Sequence, residues 1–187
     1  PIVSGATVFI TNLNTNAVFI FSELNNDGIY YCNDFVPTIG HEYELTIETN
    51  NEIYKAKETL TKGVVIDKIE QKEDGGFMRD QYEVNVIYTD IANEDNFYLI
   101  RYLPDYAVVP NFSTSEDQFY QGNQFNGIFS SKDLQEGTEI DITLYGISQQ
   151  YFSYMEILDS VLGSGNPFGS APATVKGNVI NETSSQN

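Results

Sequence analysis

The residue types that most often carry catalysis are scarce in this chain. It contains one histidine, His41, and one cysteine, Cys32. A single histidine excludes the paired-histidine zinc motifs of hydrolases, and a single cysteine excludes a disulfide framework and a cysteine-rich zinc site. A Ser-His-Asp triad would need His41 together with a Gly-x-Ser-x-Gly turn, which the sequence lacks. We therefore interpret His41 as a turn residue and Cys32 as a small apolar side chain in a strand.

Carboxylates are the abundant reactive groups, with 27 Asp and Glu against nine Lys and Arg and a net charge of −18. A glycosidase needs two carboxyls across a cleft, one of them desolvated enough to keep its proton. Most acids here lie at outward strand positions or in turns, where water keeps them ionised. A carboxylate-based glycan hydrolase is therefore a distant alternative. We predict that the protein is not an enzyme and needs no cofactor.

One turn is crowded with oxygen ligands, since Asp90, Asn93, Glu94 and Asp95 fall within six residues. Their spacing is not that of an EF-hand, and the glycine that such a loop needs is missing. A plain turn is the favoured interpretation, with calcium binding left open. The acidic charge also excludes a nucleic-acid binder of the usual kind and argues against docking on an anionic membrane.

The composition, with 41% hydrophobic and 13% aromatic residues, is that of a folded chain rich in β-strand formers. Within the first sixty residues, five short strands are separated by turn signals such as Asn25–Gly28. In Glu42–Glu48 the side chains alternate, with Tyr43, Leu45 and Ile47 inward and Glu42, Glu44, Thr46 and Glu48 outward. This pattern is typical of a small antiparallel sandwich.

The second half continues this pattern in longer strands. Tyr82, Val84, Val86 and Tyr88 alternate with Glu83, Asn85, Ile87 and Thr89, and further strands are predicted over 96–102, 139–146 and 174–180. Between them, Gln149–Leu162 changes to a helical period, with an apolar stripe of Tyr151, Met155, Leu158 and Leu162. Ser148 is a plausible N-cap and Gly163 a plausible stop.

The segment 104–127 has no sustained period and reads as a long loop that carries aromatic side chains. Loops of this length are often functional, and exposed rings on a rigid sandwich suit a protein partner or a sugar face. The alternative is that the rings pack the loop onto the sheet. The candidate partner- or ligand-binding residues are Tyr106, Phe112, Phe119 and Tyr120.

Charge is spread unevenly along the chain, because residues 1–54 contain seven acids and no base, whereas 55–79 are close to neutral. We place the domain change in that band. The prediction is a small Ig- or transthyretin-like β-sandwich over 1–62 and a larger β-sandwich-like domain over 63–187, with one short helix.

Several short motifs resemble the Bacteroidetes family named domain of unknown function 4249. They are Ser4–Val8, Asp27–Tyr31, Gly40–Ile47, Ile66–Ile69, Asn96–Tyr98, Asp141–Leu144 with Ser148, and Asn166–Phe168 with Gly177-Asn178. Each motif is weak alone, and their order and spacing across nearly the whole chain carry the resemblance.

The resemblance implies an N-terminal transthyretin- or Ig-like sandwich and a second, larger β domain. It also implies an outer-membrane lipoprotein at the cell surface, often encoded beside a TonB-dependent nutrient transporter, and it brings no catalytic residues. Pro1 is not an initiator residue, so we expect that a signal peptide and a lipid-bearing cysteine precede it in the full-length protein.

These observations together predict a non-enzymatic binding or accessory module at the cell surface, whose partner is an outer-membrane transporter, another surface protein, or a glycan or nutrient ligand. The alternative is a structural or adhesive protein in which stacked sandwiches act as a spacer and acidity keeps the surface soluble.

Overall fold

The computed structural model describes residues 2–162 and 176–184, without the side chains of Phe119 and Leu162. These residues form two compact units, the first made of 2–61 with 176–184 and the second of 62–162. Antiparallel strands dominate both units and one helix accompanies them, which confirms the mainly β fold class with a sandwich. The predicted helix stop at Gly163 and the first residues of the predicted strand 174–180 lie outside the described residues.

Within residues 2–162 and 176–184, the elements follow one another as twelve strands, one 3₁₀ turn and one α-helix. Their bounds are β1 Thr7–Asn12, β2 Val18–Glu23, β3 Tyr30–Tyr31, β4 Glu42–Thr49, β5 Glu52–Thr59, β6 Ile66–Gly75, β7 Gln81–Thr89, β8 Phe97–Pro104, β9 Asn111–Glu116, the 3₁₀ turn Asp117–Phe119, β10 Gln124–Ser131, β11 Ile140–Ile147, α1 Gln149–Leu162 and β12 Ile180–Asn181.

The first unit is one antiparallel sheet in the order β12-β5-β4-β1-β2-β3. Its five predicted strands are confirmed, and Tyr43 is buried as the alternation requires. Phe35 lies against this face, with its ring 5.0 Å from Phe19 and 5.6 Å from Tyr43 between centroids. The outward position predicted for Thr46 is wrong, because Thr46 is 3% exposed.

A short C-terminal segment completes the first sheet, because β12 pairs with β5. Backbone and side-chain hydrogen bonds hold it there, from Glu182 N to Ile53 O at 2.8 Å and from Ile53 N to Thr183 Oγ1 at 2.8 Å. The predicted division at 62/63 assigns this segment to the second domain instead. Contacts between residues so distant in sequence leave no local signal.

The second unit is a sandwich of two three-stranded sheets, β10-β7-β6 and β11-β8-β9. Both sheets contribute to one core, whose fully or almost fully buried side chains are Val86, Tyr88, Tyr98, Ile100, Tyr102, Phe129 and Leu134. Ile140, Ile142 and Leu144 pack against this core, which confirms the inward face predicted for β11. Aromatic rings thus fill much of the space between the sheets.

Helix α1 covers the opposite face of the second sheet, where Met155 packs with Leu99 and Ile147. Its predicted bounds are confirmed, and the Ser148 hydroxyl accepts a hydrogen bond from Tyr151 N at 3.2 Å, as an N-cap does. The predicted stripe is displaced at its start, because Tyr151 is 40% exposed and Phe152 packs inward instead.

The long loop predicted over 104–127 is wrong. This segment contains β9, the 3₁₀ turn and the first residues of β10. Strand β9 reads Asn-Phe-Ser-Thr-Ser-Glu, which has no alternation of apolar residues because β9 is the last strand of its sheet and none of its side chains is fully buried. Pairing with β8 over six residues defines this strand.

The outward face predicted for β7 is also partly wrong. Asn85 is 0% exposed and Glu83 is 9% exposed, although the alternation predicts that both face water. They are joined by hydrogen bonds, because Asn126 Nδ2 donates to Asn85 Oδ1 at 2.6 Å and Asn85 Nδ2 donates to Glu83 Oε1 at 2.9 Å. Because these bonds satisfy the polar groups of Asn85 and Glu83, the two side chains can be buried.

Candidate functional site

An exposed apolar segment connects β8 to β9 and continues into β9. Val108 is 97% exposed, Val109 71%, Phe112 46% and Tyr106 45%. We call Val108, Val109 and Phe112 the apolar loop, because Tyr106 lines a different depression of the surface. Isolated exposed apolar residues are ordinary, but three within five positions form a local concentration of apolar surface.

A groove of about 450 Å³ lies beside the apolar loop, between β9 and the second half of α1. It is lined by Pro110–Thr114 on one side and by Met155, Glu156, Leu158 and Asp159 on the other. Phe112 belongs to both the groove and the apolar loop. Met155 and Leu158 are also members of the cluster that fixes α1 to the sheet, so the floor of the groove is attached to a packed scaffold.

The ionisable residues that line this α1–β9 groove are both acids, Glu156 and Asp159. Both are exposed, and the hydroxyl of Thr114 donates a hydrogen bond to Glu156 Oε1 across the groove. The groove therefore combines apolar side chains with negative charge. The lining is more polar than apolar, and its negative charge attracts a cationic group of a ligand.

The four aromatic residues predicted as binding residues do not come together in one place. Phe112 lines the α1–β9 groove, whereas Tyr106 lines a separate depression of about 460 Å³ with Asp105, Asp133 and Glu136. Phe119 lies in the 3₁₀ turn, and its side chain is outside the described part of the chain.

Tyr120 points inward, because its ring stacks on Phe125 with 4.5 Å between centroids. Its hydroxyl lies 3.5 Å from the hydroxyl of Tyr88, which is itself 2.7 Å from Ser115 Oγ. Burial raises the pKa of Tyr120, and raises that of Tyr88 far above the ordinary range. These phenols therefore stay neutral and act as packing and hydrogen-bonding groups. For Tyr120, this agrees with the alternative that the rings of segment 104–127 pack it onto the sheet.

The turn with the clustered oxygen ligands is organised around a buried carboxylate. Asp90 is 5% exposed and accepts hydrogen bonds from the Tyr98 hydroxyl at 2.5 Å and from Gly122 N at 2.7 Å. The side chain of Asp90 is thus engaged by protein donors from β8 and from the connection between the 3₁₀ turn and β10. Among residues 2–162 and 176–184, no group of three or more His, Cys, Asp or Glu is placed to hold a metal.

His41 and Cys32 lie in the first unit, away from any carboxylate cluster described there. Asn12 Nδ2 donates to His41 Nδ1 at 2.9 Å, and the same amide nitrogen donates to the Tyr43 hydroxyl at 3.2 Å. This bridge holds the turn before β4. Cys32 is half-buried just after β3.

Sequence reasoning missed most of the apolar loop and of the α1–β9 groove. Val108 and Val109 lie in the segment predicted as a loop and belong to no motif, and Glu156 and Asp159 fall on the polar side of the predicted helix. The available signal is the run Ala-Val-Val-Pro at 107–110, four consecutive residues without a hydrogen-bonding side chain in a connection between strands.

In the part of the chain that the structure covers, no helix is long and apolar enough to cross a membrane. Comparison with curated proteins found no match, and comparison with solved structures found none. The family model described as "Domain of unknown function (DUF4249)" matches residues 1–187, which is the whole chain. The chain therefore belongs to this family of unknown function.

Proposed function

We propose that this protein is a binding module that docks an extended, basic segment of a partner protein on the apolar loop and the α1–β9 groove. The observation that carries the proposal is the cluster of exposed apolar side chains over 108–112 beside a groove that Met155 and Leu158 line together with two acids. We call the loop and the groove together the docking face.

Apolar surface in contact with water supplies the free energy of docking. Burying a fully exposed aliphatic or aromatic side chain contributes about 1.5–3 kcal/mol. Val108, Val109 and Phe112 are close to one another in sequence, so a single partner segment can cover them together. An aromatic residue beside a pocket that excludes water is the usual centre of a protein interface.

The negative charge of the protein and of the groove indicates which partner segments can bind. The protein has a net charge of −18, and Glu156 and Asp159 line the groove. A partner segment with Lys or Arg next to an apolar residue gains attraction during approach and neutralises these acids when bound. An acidic segment would be repelled.

Family membership suggests where such a partner is found. We propose that the module acts at the bacterial cell surface as an outer-membrane lipoprotein, and that its partner is a surface protein such as a TonB-dependent nutrient transporter. This extends the expectation drawn from the motifs, and the docking face supports the binding role in particular.

The experiment compares two triple-substituted variants. Val108→Ser, Val109→Ser and Phe112→Ala together remove the apolar part of the docking face, whereas Val36→Ser, Val65→Ser and Ile69→Ser remove similarly exposed side chains elsewhere. Each tagged protein is used to co-purify partners from native membranes, and thermal unfolding checks that both variants fold. We expect the first variant to lose a partner that the unchanged protein and the second variant retain, by at least tenfold.

Equal recovery of the same partners by both variants would contradict the proposal. A glycan array provides the alternative, because Tyr106 lies with three acids in its own depression. Glycan binding that Tyr106→Ala abolishes and the triple substitution at 108, 109 and 112 leaves intact would instead assign a sugar-binding role.

A further inference from the structure

The hairpin between β6 and β7 presents two apolar side chains at its tip. Arg79 N donates to Gly76 O at 3.2 Å, which closes a four-residue turn with Phe77 and Met78 at its centre. Phe77 is 100% exposed and Met78 is 73% exposed. We call residues 75–80 the β6–β7 tip.

These residues are not the ones that a turn selects for its own conformation. The central positions of turns favour Gly, Asn, Asp, Pro and Ser, each for a conformational or hydrogen-bonding reason. Phe77 and Met78 offer neither a conformational nor a hydrogen-bonding advantage in a turn, and exposing their side chains to water is unfavourable. Local turn chemistry therefore does not explain their presence.

The tip is held by a carboxylate inside the hairpin. Glu83 accepts hydrogen bonds from Gly76 N at 3.2 Å, from Lys72 Nζ at 3.1 Å and from Asn85 Nδ2 at 2.9 Å. Asn85 is fully buried, so this chain of polar groups is anchored in the sheet. A charged acceptor bonded to the backbone of the turn restricts the tip to one arrangement.

Close packing restricts the tip further. A Cβ added to Gly75 would lie 2.1 Å from Glu83 Cβ, so the backbone there approaches the next strand as only glycine allows. The pairing register shifts between Lys72 and Gly75, where the strand carries a bulge. Bulges redirect the side chains that follow them. Rigid presentation reduces the entropy that binding would otherwise cost.

The charges around the tip distinguish between possible partners. From Lys72 to Asp80 the exposed charges are three acids, Glu73, Asp74 and Asp80, and two bases, Arg79 and Lys72, of which Lys72 is paired with Glu83. An anionic membrane surface would repel this tip, and the same acids would oppose its pairing with the tip of a second copy. A protein pocket that is apolar inside and bears Lys or Arg at its rim complements both features.

We propose that Phe77 and Met78 of the β6–β7 tip insert into an apolar pocket with a basic rim on a partner protein. This is a second interaction surface, independent of the docking face. Phe77 is the principal contact, and Glu83 is a positioning residue that acts through the backbone of the turn.

The test introduces a photo-crosslinking benzoyl-phenylalanine at position 77 of the full chain in native cells, because this residue keeps an aromatic ring at the tip. The same residue at position 65, also exposed in the second unit, is the matched control. We expect one discrete protein adduct from position 77 and none in common with position 65. The crosslinked peptide should contain apolar residues with Lys or Arg nearby.

Competition by added protein and the salt dependence of the adduct yield test whether the adduct forms through the tip. Excess unchanged protein should reduce the adduct at least tenfold, whereas the double variant Phe77→Ser, Met78→Ser should not compete, and raising salt from 50 to 500 mM should reduce the yield severalfold. Glu83→Gln should compete with intermediate strength. The variant carrying Val108→Ser, Val109→Ser and Phe112→Ala should compete fully, which separates this proposal from the docking face.

Four results would overturn the inference. They are the absence of a protein adduct at position 77, an adduct that the Phe77→Ser, Met78→Ser protein removes as well as the unchanged protein does, binding of the purified protein to phosphatidylglycerol vesicles that this double variant loses, and an adduct between two copies of this chain. The vesicle result would assign the tip to a membrane, and the adduct between two copies would assign it to self-association.

Discussion

The two units of this molecule differ in the number of apolar side chains that they bury and in the number of sheets that they contain. In the described residues of the first unit only two apolar side chains, Val8 and Tyr43, are buried, and its strands form one sheet. The second unit buries ten and encloses a tyrosine-rich core between two sheets. Apolar burial is the main favourable contribution to folding, so the second unit has the larger stabilising core.

Exposed apolar side chains occur in both units, for example Ile20 and Val36 in the first and Val108 and Phe77 in the second, so exposure alone does not distinguish them. Both the docking face and the β6–β7 tip belong to the second unit. Binding residues are commonly carried on loops that a rigid framework positions.

The largest expected effect comes from the core that distinguishes the units. Ile100 is 2% exposed, and Ile100→Ala should reduce the free energy of unfolding by about 2–5 kcal/mol because it removes buried methyl groups and leaves a cavity. Val8→Ala in the first unit should cost about 1–2 kcal/mol, since two methylene equivalents are lost at about 0.8 kcal/mol each. Urea unfolding followed by circular dichroism measures the free energy of unfolding of both variants. Equal losses would contradict the difference drawn between the two units.

Close backbone approach in the second unit should give the next effect. A Cβ on Gly146 would lie 2.1 Å from the carbonyl oxygen of Lys62, so Gly146→Ala should destabilise by about 1–3 kcal/mol through overpacking. Gly177 in the first unit has open space around it, and Gly177→Ala should be close to neutral. The midpoints of thermal unfolding test this pair, and the account is wrong here if Gly177→Ala is the more damaging change.

Polar burial should give a smaller difference. Tyr98→Phe removes the hydroxyl that donates to the buried Asp90 carboxylate, and an unsatisfied buried acceptor costs about 1–2 kcal/mol. Tyr145 is 42% exposed on the same sandwich, so Tyr145→Phe is the matched control and should have no measurable effect. Chemical denaturation compares the two variants. Indistinguishable midpoints would mean that the Asp90 bonds do not stabilise the turn.

The smallest expected effect is a change in pH dependence. The hydrogen bond from Asn85 lowers the pKa of Glu83 below its ordinary value of 4.5, and the bonds from Lys72 and Gly76 act in the same direction, against the effect of burial. A carboxylate whose pKa is depressed in the folded state adds stability that is present above the unfolded value and is lost as the pH falls through the folded value.

Glu83→Gln should therefore flatten the loss of stability below about pH 4.5, the pKa of an unperturbed Glu. Glu73→Gln, at an exposed position near the same tip, is the control and should leave the acid limb unchanged. Unfolding midpoints measured from pH 3 to 7 test this, and an acid limb that Glu83→Gln leaves as steep as before would contradict the role given to Glu83.

Local patterns predicted the elements whose sequence carries a full period. Strands β4, β7 and β11 alternate over most of their length, and α1 has both an apolar stripe and the Ser148 cap, so their positions followed from the residues alone. Strand β9 did not, because an edge strand with half-exposed residues needs no apolar alternation. Strand β9 forms because it pairs with β8, and the local sequence of β9 does not encode that pairing.

The candidate site was harder to predict than the fold for the same reason. Aromatic side chains in one segment look equivalent in sequence, yet Tyr120 stacks on Phe125 while Tyr106 and Phe112 remain exposed. Which ring turns inward depends on space between distant strands. Similarly, Glu83 looks like a solvated residue in the sequence because its partners Lys72 and Asn85 come together only in the folded hairpin.

The most direct test of the docking face is hydrogen–deuterium exchange of the protein alone and in its co-purified complex. The account predicts added protection in 106–116 and in the second half of α1, with β4 and β5 of the first unit unchanged. Protection confined to the first unit, with 106–116 exchanging as fast as in the free protein, would contradict it.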